Sequence, residues 1–209
     1  MESYKIIIIG PKHTNKMGLA QELISINDDL EVCPTYTTEL EFKDKVTDEF
    51  FTYMSNEDVK LGYKNNSFIY VTSYNEYSKG MLHSDLYNKD IFVLDFLDFN
   101  NMSERTLNEF NNKLFIWLDT KEKNKDIEDL EESKFAYERS LNFPLLYFVD
   151  ENAEDIARII LRYIDANCTE EEREEIIVQN SWIERNYWTK FLNVYKMIFY
   201  FLTSMKSEF

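Results

Sequence analysis

The residues with the spacing to do chemistry come early. Gly10-Pro11-Lys12-His13-Thr14-Asn15-Lys16-Met17 follows a β-branched run, Lys5 to Ile9, and precedes a segment with apolar residues at Leu19, Leu23 and Ile24. A strand, a glycine-bounded turn and a helix form the setting in which G-x-x-x-x-G-K-[ST] cradles phosphate with backbone N–H groups and a lysine. Gly10 and Lys16 stand at the right spacing, but Asn15 replaces the second glycine and Met17 the hydroxyl residue. Asparagine tolerates positive φ better than most residues, so Asn15 is expected to preserve part of the loop's curl while crowding the phosphate. Met17 costs more, because the missing hydroxyl would ligate Mg²⁺, a hard cation that gains nothing from a thioether. Gly10, Lys12, Thr14, Asn15, Lys16 and Met17 are therefore the candidate residues of a degenerate nucleotide-binding loop. The plainer alternative is that Gly10-Pro11 ends a strand and Lys16 is a solvent residue at a helix start.

No other constellation competes. His13 and His83 are the two histidines, and neither lies near a serine or cysteine with nucleophile-like spacing. Cys33 and Cys168 lack any C-x-x-C or histidine partner, which argues against a zinc site or a disulfide framework and fits a reducing compartment. A formal net charge of -16 makes nucleic acid a poor partner, because affinity for a phosphate backbone comes mainly from lysine and arginine. The N-terminal apolar run is too short and wrongly flanked for a secretory signal, so the expected location is the cytoplasm.

Elements must position the loop. Lys5 to Ile9 is a continuous apolar run, the mark of a strand covered on both faces in a parallel sheet. Similar runs recur at Ser67 to Val71, Asp90 to Leu94, Leu114 to Leu118 and Leu145 to Val149, separated by helical spacing such as Ile127 to Arg139 and Ala153 to Ile164. This alternation predicts an α/β domain of three layers, with a central parallel sheet of about five strands and Lys5 to Ile9 inside it. The domain is expected to span residues 1–166, with residues 35–80 as a small inserted lobe and 167–209 as a helical, aromatic-rich extension. Thr169-Glu170-Glu171-Glu172 reads as the start of a helix with an acidic first turn. Farther on, Trp188, Phe191, Leu192, Tyr195, Ile198, Phe199 and Leu202 follow the spacing of one apolar helix face. That face is expected to dock on a protein surface, its own domain or a partner. A membrane-surface role is the lesser alternative, since the stretch falls short of the ~20 residues a spanning helix needs and contains Lys196.

The order of these elements resembles guanylate kinase over about residues 4 to 165. Gly10-Pro11 matches the family's G-P opening, and Val32-Cys33-Pro34-Thr35-Tyr36-Thr37-Thr38 resembles its S-x-S-x-T-T-R stretch. Phe68-Ile69-Tyr70 sits where the family has F-L-E, and Tyr77 near its paired tyrosines. Val93-Leu94-Asp95-Phe96 resembles L-L-D-I, Leu114 to Leu118 the S-I-F-I-x strand, and Tyr147-Phe148-Val149-Asp150-Glu151 the V-I-V-N-D segment.

The resemblance implies a P-loop nucleoside monophosphate kinase fold, with Thr35, Thr37, Thr38, Tyr70, Tyr77 and Asp95 at acceptor-pocket positions. It also implies damage. The arginine that closes T-T-R falls on Glu39, the guanine-reading glutamate on Tyr70, and the arginine-bearing lid on Glu128-Asp129-Leu130-Glu131-Glu132. Reversing the charges that stabilise phosphoryl transfer removes most of its electrostatic catalysis. The expectation is a pseudo-enzyme acting as a binding or structural module with a protein partner, catalytic residues and metal ligands none, and no required cofactor. Weak affinity for ATP, GMP or a related nucleotide stays open, as does the alternative of a divergent nucleoside monophosphate kinase that converts ATP and GMP, or another monophosphate, to ADP and a diphosphate. Taken singly, the threonines and tyrosines are ordinary strand residues and Asp95 an ordinary loop cap.

Overall fold

The computed structural model describes residues 4–11, 13–43, 50–110, 112–119, 135–136, 138–140, 142–149 and 151–181. Lys12, the acidic segment Glu128 to Glu132 and the aromatic face from Trp188 to Leu202 lie outside the described residues.

Strand β1 (Lys5–Ile9) sits inside a four-stranded parallel sheet between β6 (Ile91–Leu94) and β7 (Lys113–Asp119), with β8 (Leu145–Val149) beyond β7. Its isoleucines explain themselves through the layers they meet. Ile6 and Ile8 pack with Leu19 and Leu23 of α1 (Lys16–Ile26) and Ile156 and Ile160 of α6 (Ala153–Ile164). Ile7 and Ile9 pack with Phe92, Phe115 and Trp117 and with Phe96 and Phe99 of α4 (Phe96–Asn101), where Leu107 of α5 (Glu104–Glu109) joins them. All four isoleucines are fully buried, and burial of each contributes roughly 1.5–3 kcal/mol. Among the described residues no helix is long and apolar enough to cross a membrane.

The expected fifth parallel strand is not part of this sheet. The run at Ser67 to Val71 becomes β4 (Phe68–Ser73) of a second sheet, with β2 (Thr35–Thr37), β3 (Phe51–Tyr53) and β5 (Ser78–Leu82) in the order β3-β2-β5-β4. Its strands are mixed: β2 runs parallel to β3, while β5 is antiparallel to both β2 and β4. β4 belongs there because a tight turn at residues 74–77 returns the chain at once, and Tyr74 N–H donates to Tyr77 O at 2.7 Å. A hairpin forces antiparallel pairing, whereas a parallel neighbour needs a long crossover.

Helix α2 (Asn56–Lys64) lies against β4, and the short α3 (His83–Leu86) follows β5. The acidic helix start at Thr169 opens α7 (Glu170–Gln179): Thr169 Oγ1 accepts from Glu172 N, and Glu172 Oε2 accepts from Thr169 N at 2.8 Å.

Candidate functional site

The loop after β1 folds onto itself. A Cβ on Gly10 would lie 2.6 Å from the Leu118 carbonyl oxygen and 2.7 Å from Thr14 Oγ1, so the residue type is set by the close approach of β7. Thr14 Oγ1 donates to Pro11 O at 2.7 Å, and its backbone N–H to the same oxygen at 3.1 Å. Asn15 lies at φ -78°, not in the left-handed region expected of it, and serves as the N-cap of α1 by accepting from Gly18 N at 3.2 Å. Asparagine is a preferred N-cap, which accounts for it in this place without a phosphate. Met17, on the first turn of α1, is 39% exposed.

Lys16 is not the solvent residue of the plainer reading but is buried, 5% exposed. Its ammonium group donates to Gly10 O at 3.0 Å and to Pro11 O, and pairs with Asp95 Oδ1 at 3.0 Å. Burial pulls its pKa below the ordinary lysine value, and the Asp95 charge works against that pull. Asp95 follows β6, the parallel neighbour of β1, so loop and carboxylate meet at the carboxyl ends of adjacent strands, where open α/β sheets hold ligands.

The second sheet supplies the rest. Lys79 of β5 pairs with Asp95 Oδ2 and with Asp98 Oδ2, each at 2.7 Å. Asp98 also accepts from Thr72 Oγ1 of β4 at 2.8 Å and from the Asp95 backbone N–H at 3.2 Å. Asn101 Nδ2 completes the chain with a 3.0 Å bond to Thr72 Oγ1. Burial would lift the Asp95 carboxyl, but Lys16 and Lys79 outweigh it and hold the group below its usual value. Asp98 is more deeply buried, and burial with the Asp95 charge beside it raises its pKa in spite of Lys79. For Lys79, burial alone would lower the pKa, yet the Asp98 and Asp95 charges raise it.

A cavity of about 310 Å³ opens here. Of the residues expected at the site, it brings together Thr14, Asn15, Lys16, Met17, Thr35 and Asp95. Others do not line it. Thr37 Oγ1 accepts from Glu39 N at 3.2 Å and Thr38 Oγ1 from Ser78 N at 2.9 Å, both at the end of β2. Tyr70 is buried in the apolar cluster around Ile7 and Ile9, and burial pushes its phenol well above the ordinary value. Tyr77 stacks on Tyr74 with ring centroids 4.6 Å apart. Cys33 also lines the cavity, but burial drives its thiol far above its usual pKa, the reverse of an activated nucleophile.

A second cavity of about 360 Å³ lies across the loop, against His13, Leu118, Asp119, Phe148 and Glu151. Among the described residues no group of three or more His, Cys, Asp or Glu is arranged to hold a metal ion. Sequence reading missed Lys79, Asp98 and Thr72. Asp98, three residues after Asp95, carried a local signal as a helix-start pair, whereas Lys79 and Thr72 are brought in only by the hairpin.

With this geometry in place, comparison with solved structures gives a match to the guanylate kinase of Anaplasma phagocytophilum. The TM-score is 0.56 at 14% identity, covering 82% of this chain and 89% of that one. The fold is guanylate kinase-like. No family model and no curated protein matches the sequence. At this identity the likeness speaks for the α/β architecture, with its P-loop-type strand, turn and helix, and not for what the cavity binds.

Proposed function

We propose that the chain is a guanylate-kinase-fold binding module that does not transfer phosphoryl groups. One observation carries the reading: among the described residues, both cations that line the 310 Å³ cavity, Lys16 and Lys79, are already paired with Asp95 and Asp98. A phosphate entering beside them meets two carboxylates as well as two ammonium groups, so attraction and repulsion nearly offset. Phosphoryl transfer rests almost wholly on positioning and uncompensated positive charge, which this arrangement does not offer. The residues present also fit a magnesium nucleotide poorly, because Met17 stands where a metal-binding hydroxyl would be. Glu39 stands where the resemblance calls for an acceptor-site arginine.

The partner we infer is a protein, met in part through Trp188 to Leu202, and the setting is intracellular, in keeping with the free cysteines Cys33 and Cys168. The divergent kinase remains the second reading, favoured by the position of Lys16 at the loop's own carbonyls and at the cavity wall. Isothermal titration with ATP, ADP, GMP and GDP, with and without Mg²⁺, alongside an assay for ADP formation, tests the choice. Expected are no turnover above background and no Mg²⁺-dependent tightening. ADP formation that disappears in Lys16→Met would overturn the proposal. For the tail, a chain lacking Trp188 to Phe209 should lose melting temperature or protein capture. Unchanged values for both, with no vesicle flotation by the full chain, would sink its docking role.

A further inference from the structure

Lys79 and Thr72 are paired neighbours on β5 and β4 and turn toward Asp98. Side chains alternate along a strand, so Val71, Ser73 and Ser78 belong to the other face of the same hairpin. Helix α2 covers that face incompletely. It touches the sheet where Gly62 meets Phe68, and a Cβ on Gly62 would come within 2.6 Å of Phe68 Cε2. Beside this contact a groove of about 600 Å³ opens, with Val59, Tyr63 and Val71 supplying apolar surface and Lys60 and Lys64 standing along it. None of the residues of α2 is buried, and Tyr63 is 71% exposed.

The charge of this groove runs against that of the molecule. The chain has a net charge of -16, yet among the described residues the groove's lining contains two lysines and no carboxylate. Glu57 and Asp58, though on α2, are not part of the lining. The side chains of Lys60 and Lys64 are exposed and enter no ion pair or hydrogen bond among the described residues. By contrast Lys5, Lys16, Lys79 and Lys89 are each tied to an aspartate or glutamate. Four residues apart on a helix, Lys60 and Lys64 share one face about 6 Å from each other along the axis.

We propose that this groove docks an acidic protein segment, one apolar side chain lying over Val59, Tyr63 and Val71 while flanking carboxylates meet Lys60 and Lys64. Charge complementarity selects the occupant. A short acidic segment touches only the groove, whereas an anionic membrane or a nucleic acid would also face the surrounding negative surface and be repelled. A second copy of the chain brings the same net charge and is disfavoured in the same way. The proposal rests on the reading of the chain as a binding module, but uses the face of the hairpin opposite Lys79 and Thr72. Nucleotide turnover would therefore defeat that reading and leave the groove untouched.

The test is an NMR titration of the full ¹⁵N-labelled chain with a peptide alternating aspartate with leucine and phenylalanine, and with its counterpart carrying lysine for aspartate. The acidic peptide should shift the amides of Val59, Tyr63 and Val71 and leave that of Lys16 in place. Lys60→Glu with Lys64→Glu should weaken binding about tenfold or more, and Tyr63→Ala should weaken it without changing its salt dependence. Both lysines are exposed, so the double variant is expected to keep the native spectrum. Equal binding of the two peptides, no shifts at the groove, or unchanged affinity in the double variant would overturn the proposal. Flotation with phosphatidylserine vesicles, or gel retardation of RNA, that depends on Lys60 and Lys64 would overturn it in favour of those occupants.

Discussion

Lys16 directs its donors to Gly10 O, Pro11 O and Asp95 and is buried while doing so. Removing one member of a buried pair costs about 3–5 kcal/mol when the other is left fully buried and uncompensated, and less when, as for Asp95, the partner keeps some solvent and a second lysine, Lys79. Lys16→Met is accordingly expected to destabilise the fold by about 2–3 kcal/mol, read from urea unfolding. A lysine kept only for a ligand would show no such loss, and an unchanged midpoint would return it to that role.

The carboxylates give the pH dependence. Because the folded Asp95 value is depressed, the stability it supplies is present above the ordinary carboxylate pKa of about 3.9 and is lost as pH falls through the folded value. Asp98 has the opposite sign: its folded value is raised, so acidification relieves the cost of its buried charge before the ordinary value is reached. Asp95→Asn should flatten the acid limb of a stability curve taken from pH 7 downward. Curves that stay parallel to the wild type at the lowest pH would refute the assignment. Of these residues Lys16 and Asp95 were legible in the sequence, Lys16 from its spacing after Gly10 ahead of a helix and Asp95 from its place at the end of a strand. Lys79 and Thr72 were not, because only the pairing Thr72↔Lys79 in the hairpin brings them to the carboxylates.

At the level of elements, the loop and helix α1 can be separated by two glycines. A methyl group on Gly10 meets the Leu118 carbonyl, backbone that cannot swing aside. Gly10→Ala should therefore cost about 1–3 kcal/mol through displacement of the loop from β7. On Gly18 the nearest atoms a methyl group meets are those of the Asn15 side chain. Losing that cap costs ~1 kcal/mol, which the gain from alanine in a helix roughly offsets, so Gly18→Ala should melt close to the wild type. Thermal unfolding of both variants checks the contrast, and equal losses would mean that α1, not the approach of β7, sets the glycine at position 10.

The central sheet was readable because Ile6 to Ile9 need cover on both faces, which only an inner strand has. The run at Phe68 lies in the segment expected to form the small lobe, but it was also counted with the parallel strands. A short apolar run carries no sign of its partner, and in β4 burial differs by face only from Tyr70 on, with Tyr70 and Thr72 inside and Ser73 exposed. The turn at residues 74–77 has no glycine or proline to announce the hairpin.

On the scale of the whole molecule, the two sheets are joined by a buried cluster of two lysines and two aspartates while the surface carries the excess of negative charge. These two parts respond differently to salt. Mobile ions screen exposed charges beyond about 8–10 Å at physiological strength but reach buried pairs far less. The self-repulsion of a chain at -16 should therefore weaken with added salt while the Lys16–Asp95–Lys79–Asp98 cluster persists. Raising sodium chloride from a few millimolar to physiological strength is expected to stabilise the protein by about 1 kcal/mol, or ~2–4 °C in melting temperature for a chain of this size. Lys16→Met should show the same increment from a lower starting point, because its lost contact lies out of reach of the ions. A melting temperature that falls with salt would mean that exposed ion pairs such as Lys89–Glu31 outweigh the repulsion. A salt response abolished in Lys16→Met would mean instead that the cluster is open to solvent, and the two sheets would then be held together by their apolar contacts alone.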